Sequence, residues 1–284
     1  MEFELDDEQR LLRRTVRETV AKVRGRPQDQ QWDTYVGLGW LEAPPLELTI
    51  VLEELGYVAD PTPFLATATW FAPLTGRLPE GSGTAVFDGL GHHVLDADRA
   101  DEVALLTPDG VSVVRGTELA AVRIPVLDPQ LHVARVHHPG ALSARIPELA
   151  LTGLAATAVG ACRRVLDLVL AHVKQRVQFG RPLGSFQAVK HKAADMHVAI
   201  ERARALTHFA ALTIAEDDPR RTRAAHMAKA AAGECQRLVF RHGLQLFGAM
   251  GFTWENELQF HLKRAQACDL LLGTASAHRK ALLP

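Results

Sequence analysis

From residue 147 to 271 the apolar residues return at helical spacing over stretches far longer than a strand, and this constrains the fold more than any other feature. The first stretch, 149–177, is apolar and alanine-rich for half its length and charged thereafter; Pro147 and Glu148 suit a helix's first turn. The second begins after Pro182-Leu183-Gly184. Its residues Val189, Ala193, Met196, Ile200 and Ala203 step by 4, 3, 4 and 3, a stripe that packs against other helices. Glu216-Asp217-Asp218-Pro219 ends it. A third helix is predicted over 221–247, stopped by Gly248 and Gly251, and a last one over 257–271. Connections of a few residues favour antiparallel neighbours, so the pattern predicts a bundle of about four helices.

The first third also reads helical. Asp6-Asp7-Glu8 open a segment reaching about Arg24, where acids complement the helix dipole and Leu11, Leu12, Val16, Val20 and Val23 lie at helical spacing. Gly25 and Pro27 break it. A second helix is predicted over 46–55 and a short apolar one over 64–74, with Pro61 and Pro63 between them. The texture changes near Gly81. From there to about Gly140 the chain carries short Val-rich runs at 102–106, 111–114 and 120–124, and Pro108-Asp109-Gly110 between two of them is a hairpin signal. A β segment this short leans on the helices beside it.

Composition excludes several classes. Lys plus Arg number 32 against 33 Asp plus Glu, a net charge of -1, whereas nucleic-acid binding draws on a basic excess. No stretch approaches the roughly 20 apolar residues of a membrane span. The acidic start lacks the layout of a signal peptide. Cys162, Cys235 and Cys268 are too few for a disulfide framework and too far apart for a zinc module, so they read as core residues of a cytoplasmic protein.

General catalytic motifs are missing. Gly89-Leu90-Gly91 is half a dinucleotide fingerprint with no third glycine, and reads as a plain turn. The paired histidines His92-His93 and His137-His138 are adjacent, so their side chains do not converge on a metal. There is no Gly-x-Ser-x-Gly elbow.

Two stretches say more. One runs Arg176-Val177-Gln178-Phe179-Gly180-Arg181-Pro182-Leu183-Gly184-Ser185-Phe186-Gln187, continuing to Ala194-Asp195-Met196. The other is Gln245-Leu246-Phe247-Gly248-Ala249-Met250-Gly251-Phe252-Thr253, followed by Glu255, Gly273-Thr274 and Arg279. In order and spacing they resemble the C-terminal helical domain of the acyl-CoA dehydrogenase family, over residues 147–284. Gly37-Leu38-Gly39-Trp40 and Glu53-Glu54-Leu55-Gly56 are similar to its N-terminal region more loosely.

The resemblance implies a mostly α fold in three parts. These are an N-terminal helical domain (1–80), a truncated middle β domain (81–140) and a C-terminal four-helix-bundle domain (141–284). It implies flavin adenine dinucleotide (FAD), an acyl-CoA thioester and α,β-dehydrogenation, in which a glutamate takes the α-proton and the flavin the β-hydride. It assigns Arg176, Phe179, Phe186, Gln187, Gln245, Leu246, Phe247, Gly248 and Ala249 to a grip on the cofactor's pyrophosphate and adenosine half, reaching across to a neighbouring subunit.

The family's base positions hold Leu272, before Gly273-Thr274, and Ala150, and neither side chain accepts a proton. Glu148 and Asp269 are the local alternatives; Glu148 lies two residues away, about 200° around a helix. The β domain also lacks the family's Thr-Glu-Pro-like loop and its tryptophan, there being no Trp between Trp70 and Trp254. The segment 96–101 and Leu127-Asp128 resemble the short subunits of actinobacterial acyl-CoA dehydrogenases. Such subunits pair with a complete subunit as α2β2 heterotetramers, several acting on steroid side-chain thioesters. The expectation is a degenerate subunit that completes its partner's FAD site. A self-sufficient enzyme with a relocated base and a non-redox structural or binding protein are the alternatives.

Overall fold

Asp6 sets the first helix. Its side chain accepts from the Gln9 N–H at 2.8 Å while the Gln9 side chain accepts from the Asp6 N–H, a capping box that starts α1 (Asp7–Val23). Val16, Val20 and Val23 are buried as their spacing requires, but Leu11 is exposed: α1 buries a narrower stripe than the sequence offers. The computed structural model describes residues 4–87, 93–137, 141–143 and 145–283. The Gly89-Leu90-Gly91 turn, His92, His138 and Pro139-Gly140 lie outside the described residues.

A polar helix, α2 (Gln28–Gly37), precedes the predicted second helix. It buries only Gln31 and Tyr35, so hydrophobic periodicity gives no sign of it. Next come α3 (Pro45–Tyr57) and a continuous run of α4 (Phe64–Ala66), a π turn (Thr67–Phe71) and α5 (Ala72–Thr75).

The β segment forms two three-stranded sheets. In one, β1 (Gly83–Val86) runs parallel to β3 (Glu102–Thr107), which pairs antiparallel with β4 (Gly110–Arg115). Thr107 faces Gly110 across the predicted Pro108-Asp109 turn. In the other, β6 (Val133–Val136) lies between β2 (His93–Leu95) and β5 (Ala121–Arg123). Neither sheet has a core of its own: Val94, Leu95, Val103 and Val133 share one apolar cluster with Leu151, Leu154 and Ala228 of the bundle.

The bundle consists of α6 (Glu148–Gln175), α7 (Gln187–Ala215), α8 (Arg221–Phe247) and α9 (Leu258–Leu270). A further helix, α10 (Ala275–Ala281), follows where the sequence pattern predicts none. Met196, Ile200 and Ala203 of the α7 stripe are buried against Cys162, Val165 and Cys235, and all three cysteines are core residues. No helix among the described residues is long and apolar enough to cross a membrane.

Helices α3 and α6 approach to backbone contact. A methyl group on Gly160 would sit 1.9 Å from the Glu53 carbonyl oxygen, and one on Gly56 would sit 2.2 Å from that of Thr157. Only glycine permits this approach. It brings Glu53 and Glu54, two carboxylates on a helix whose interior is otherwise apolar, against arginines of α6 and α7. The Arg163 Nη1 donates to Glu53 at 2.6 Å and its Nη2 to Glu54 at 2.6 Å; the Arg204 Nη2 donates to Glu53 at 2.9 Å.

Candidate functional site

The C-terminal ends of α6 and α8 and the start of α7 meet at one end of the bundle, which brings the two family-like stretches together. Helix α6 stops at Arg176, whose N–H donates to the His172 carbonyl before the backbone turns extended. The chain then makes a two-stranded hairpin, β7 (Val177–Gln178) with β8 (Arg181–Pro182). Its two turn residues, Phe179 and Gly180, have φ of 54° and 76°, the left-handed pair that a tight hairpin requires. Glycine adopts this freely, whereas phenylalanine does so at a cost. The result is an aromatic ring held 89% exposed at a loop tip. Its edge meets the Phe186 ring at 6.0 Å, and the Arg181 guanidinium covers Phe186 at 4.1 Å.

Helix α7 starts at Gln187 without a side-chain cap and without an acid in its first turn. A helix N-terminus left this way points unsatisfied N–H groups and a positive dipole end outward. The Arg176 guanidinium, at the end of α6, makes no hydrogen bond or ion pair among the described residues. From the other side, the Phe247 ring stacks on His172 at 4.5 Å and fixes the end of α8 against α6. Gly248 ends α8 with φ 62° and ψ -145°, a conformation closed to residues with a side chain, and nothing lies within 4 Å of where its Cβ would be. Gln245 and Ala249 are exposed beside it, whereas Leu246 is buried and serves the core. Unpaired cation, open helix N-terminus, bare glycine backbone and upright aromatic ring fit an anionic nucleotide tail.

The positions assigned to a base are equally well defined. Ala150 is fully buried in α6. Leu272 is buried with φ 59°, in a turn with Gly273 at φ 102°. A buried lysine clamps that turn: the Lys229 Nζ donates to the Asp269 carbonyl at 2.9 Å and the Gly273 carbonyl at 2.7 Å. Burial pulls this ammonium down to about 8 against the pull of Asp269. The His278 Nε2 lies 3.0 Å from the Leu272 carbonyl, and its Nδ1 lies 2.7 Å from that of His226. Asp269 is committed elsewhere, its carboxylate accepting from the Ala275 N–H at 2.9 Å and the Gln236 amide at 3.3 Å. Glu148 accepts from the Thr222 hydroxyl at 2.7 Å. Both candidate replacement bases therefore have structural partners.

Leu272 also walls a cavity of about 440 Å³ between the strand-connecting segment at 124–133 and α9. The carboxylate lining it is Asp128, fully buried, whose Oδ2 accepts from the Arg264 Nε at 2.6 Å. Sequence reading missed this ion pair, the Lys229 clamp and the Glu53–Glu54 cluster. The available signal was charged residues inside otherwise apolar helical runs, which fold only when paired.

Helices before and after a small β segment, the later ones in a bundle, make an acyl-CoA dehydrogenase-type fold. Residues 152–283 match the model of the acyl-CoA dehydrogenase C-terminal domain. The chain is 36% identical over 242 residues to acyl-CoA dehydrogenase IpdE2 of Mycolicibacterium smegmatis, covering 80% of this chain and 74% of that one. It is 35% identical to IpdE2 of Mycobacterium tuberculosis, covering 80% and 73%. Among solved structures it resembles the ChsE4-ChsE5 complex of M. tuberculosis (TM-score 0.83, 20% identity, 99% of this chain and 98% of that one). It also resembles the Tcur3481-Tcur3483 steroid ACAD G363A variant (TM-score 0.81, 22% identity, 97% and 96%). This chain belongs to the acyl-CoA dehydrogenase family.

Proposed function

We propose that this chain is a subunit of a heteromeric, FAD-dependent acyl-CoA dehydrogenase that completes a partner's cofactor site and supplies no general base of its own. The observation that carries the reading is an asymmetry. The end of the bundle presents Arg176, Phe179, Phe186, Gln187, Gln245, Phe247, Gly248 and Ala249 as an accessible cradle, while the base positions hold buried Leu272 and Ala150. When bound, FAD supplies the hydride acceptor for α,β-dehydrogenation of an acyl-CoA. This chain's part is to hold the pyrophosphate and adenosine end. Arg176 and the α7 N-terminus neutralise phosphate charge, Gly248 lets the backbone approach, and Phe179 and Phe186 flank the nucleoside. The partner is a complete acyl-CoA dehydrogenase subunit in an α2β2 assembly, and the domain division lies near residues 80 and 140. The steroid ACAD neighbour supports a steroid-derived acyl-CoA as the substrate class.

Coexpression with a complete partner subunit is expected to yield one FAD per heterodimer, with little flavin on this chain alone. A yellow, active homo-oligomer of this chain would overturn the reading. Flavin absorbance missing even with the partner bound would favour a non-redox role.

In that complex Arg176→Ala removes one charge-assisted contact, worth about 1.5–3 kcal/mol, and is expected to weaken FAD retention roughly 10- to 150-fold. The bundle should keep its thermal midpoint, because Arg176 makes no side-chain hydrogen bond or ion pair among the described residues. Equilibrium dialysis of FAD against wild type and variant measures the difference; unchanged retention would remove Arg176 from the site.

A further inference from the structure

A cavity of about 200 Å³ lies where the C-terminal end of α1, helix α2, the segment after α3 and the start of α9 meet. It shares no lining residue with the cavity beside Leu272 or with the cradle. Its apolar walls are Val20, Val58, Ala59, Pro61 and Phe260. An apolar cavity of about 150 Å³ takes one benzene, so this one has room for a six-membered ring with a substituent.

The charged residues that line it are already paired. The Arg24 Nη2 donates to Glu257 at 3.0 Å, and the Arg164 Nη2 donates to both oxygens of the same carboxylate at 3.0 Å. Asp60 accepts from the Tyr35 hydroxyl at 3.2 Å and from the Thr62 N–H at 3.0 Å. The neutral groups are not fully paired. Gln31 spends an amide N–H on the Arg26 carbonyl at 2.8 Å, while its own carbonyl oxygen has no partner among the described residues. His261 is 1% exposed, and its Nε2 lies 3.3 Å from the Glu257 carboxylate. An ionised carboxylate only accepts, so Nε2 carries the ring's hydrogen and Nδ1 is left as an acceptor. Burial pulls this imidazole down to about 4, which keeps it neutral at pH 7. The Nδ1 atom is buried and has no hydrogen-bond partner among the described residues. A buried acceptor without a donor is costly, and a hydroxyl in the cavity would supply the donor.

We propose that this cavity is a ligand site for a six-membered ring bearing a hydroxyl, its ring against Val58 and Phe260 and its hydroxyl donating to the His261 Nδ1. The paired charges favour a neutral ligand over an ion, and the missing donor favours an alcohol over a hydrocarbon. The site binds whether or not a flavin is shared with a partner subunit.

The test is calorimetric titration of phenol, and of toluene as its methyl isostere, into the full-length chain. One saturable phenol site per chain is expected, with toluene at least tenfold weaker. Val58→Phe, at a half-buried position, fills the chamber and should weaken phenol at least tenfold. His261→Phe keeps a ring and removes the acceptor, while Glu257 keeps Arg24 and Arg164; it should bring phenol and toluene to within about twofold of each other. In the wild type, the imidazole nitrogen resonance that His261→Phe deletes should move with phenol and stay in place with toluene, a readout that requires no variant to bind. Lack of saturable phenol binding, the result for a cavity that holds only water, overturns the site, as does undiminished binding in folded Val58→Phe. A phenol preference that survives His261→Phe, or a His261 resonance unmoved by phenol, overturns the assignment of the acceptor.

Discussion

Arg264→Leu is expected to destabilise the folded chain by about 3–5 kcal/mol, the usual cost of removing one partner from a buried ion pair. Arg264 joins three parts of the molecule. From α9 its Nε donates to Asp128 in the strand-connecting segment, and its Nη1 donates to the Asp60 carbonyl after α3, at 2.6 and 2.7 Å. Both charged side chains are buried, so their attraction is little screened, and each depends on the other to offset its desolvation. Leucine preserves much of the stem's packing and leaves the Asp128 carboxylate without its cation. The double variant Arg264→Leu/Asp128→Leu is therefore expected to recover much of the loss, since replacing both partners with apolar groups removes the stranded charge. Urea unfolding of the wild type, Arg264→Leu and the double variant decides the matter. A single-variant loss under 1 kcal/mol would show that solvent reaches the pair.

That ion pair also marks how far the sequence could be read. The long helices are legible because burying a stripe forces the apolar period, and the α7 stripe ends in fully packed Met196 and Ile200. The Pro108-Asp109 hairpin is legible because turn chemistry is local. Helix α2 is not legible, because it buries two residues and has no stripe. Helix α10 is seven residues long and is held in part through His278 and Ala275, whose partners Leu272 and Asp269 precede it in the chain. The residues of the candidate cradle were legible only through family resemblance. Arg176, Gln187 and Gln245 have no signature of their own, and their convergence depends on the ends of α6 and α8 meeting through His172 and Phe247. The cavity beside Leu272 was beyond reach for a similar reason: its walls come from segments more than a hundred residues apart.

Glu53 is the second position where one side chain carries a large share of stability, and here the signature is its pH dependence. Burial alone pushes this carboxyl up, but Arg204 and Arg163, with a smaller contribution from Arg13, hold it at about 2 instead of its ordinary 4.5. A group held that far down in the folded state contributes about 3 kcal/mol to stability once ionised in both states. Because the folded value is the lower one, the contribution is fully present above about pH 4.5. It is lost as pH falls towards 2, where the folded carboxyl also takes up its proton. Glu53→Gln keeps shape and removes the charge, so it is expected to cost about 3 kcal/mol at pH 7 and progressively less below pH 4.5. His208 lies beside the same cluster, its imidazole pulled down by burial to about 4, so it too loses stability as pH falls, from about 6.5 towards 4, with the same sign and in a window that overlaps the top of Glu53's. The comparison is therefore made in a His208→Asn background, with urea midpoints at pH 7, 5.5, 4.5 and 3.5. A Glu53→Gln difference that stays constant across that range would mean that the arginines do not hold Glu53 ionised. The close approach of α3 to α6 at Gly56 and Gly160 would then be what joins the N-terminal helices to the bundle, with the carboxylates adding little.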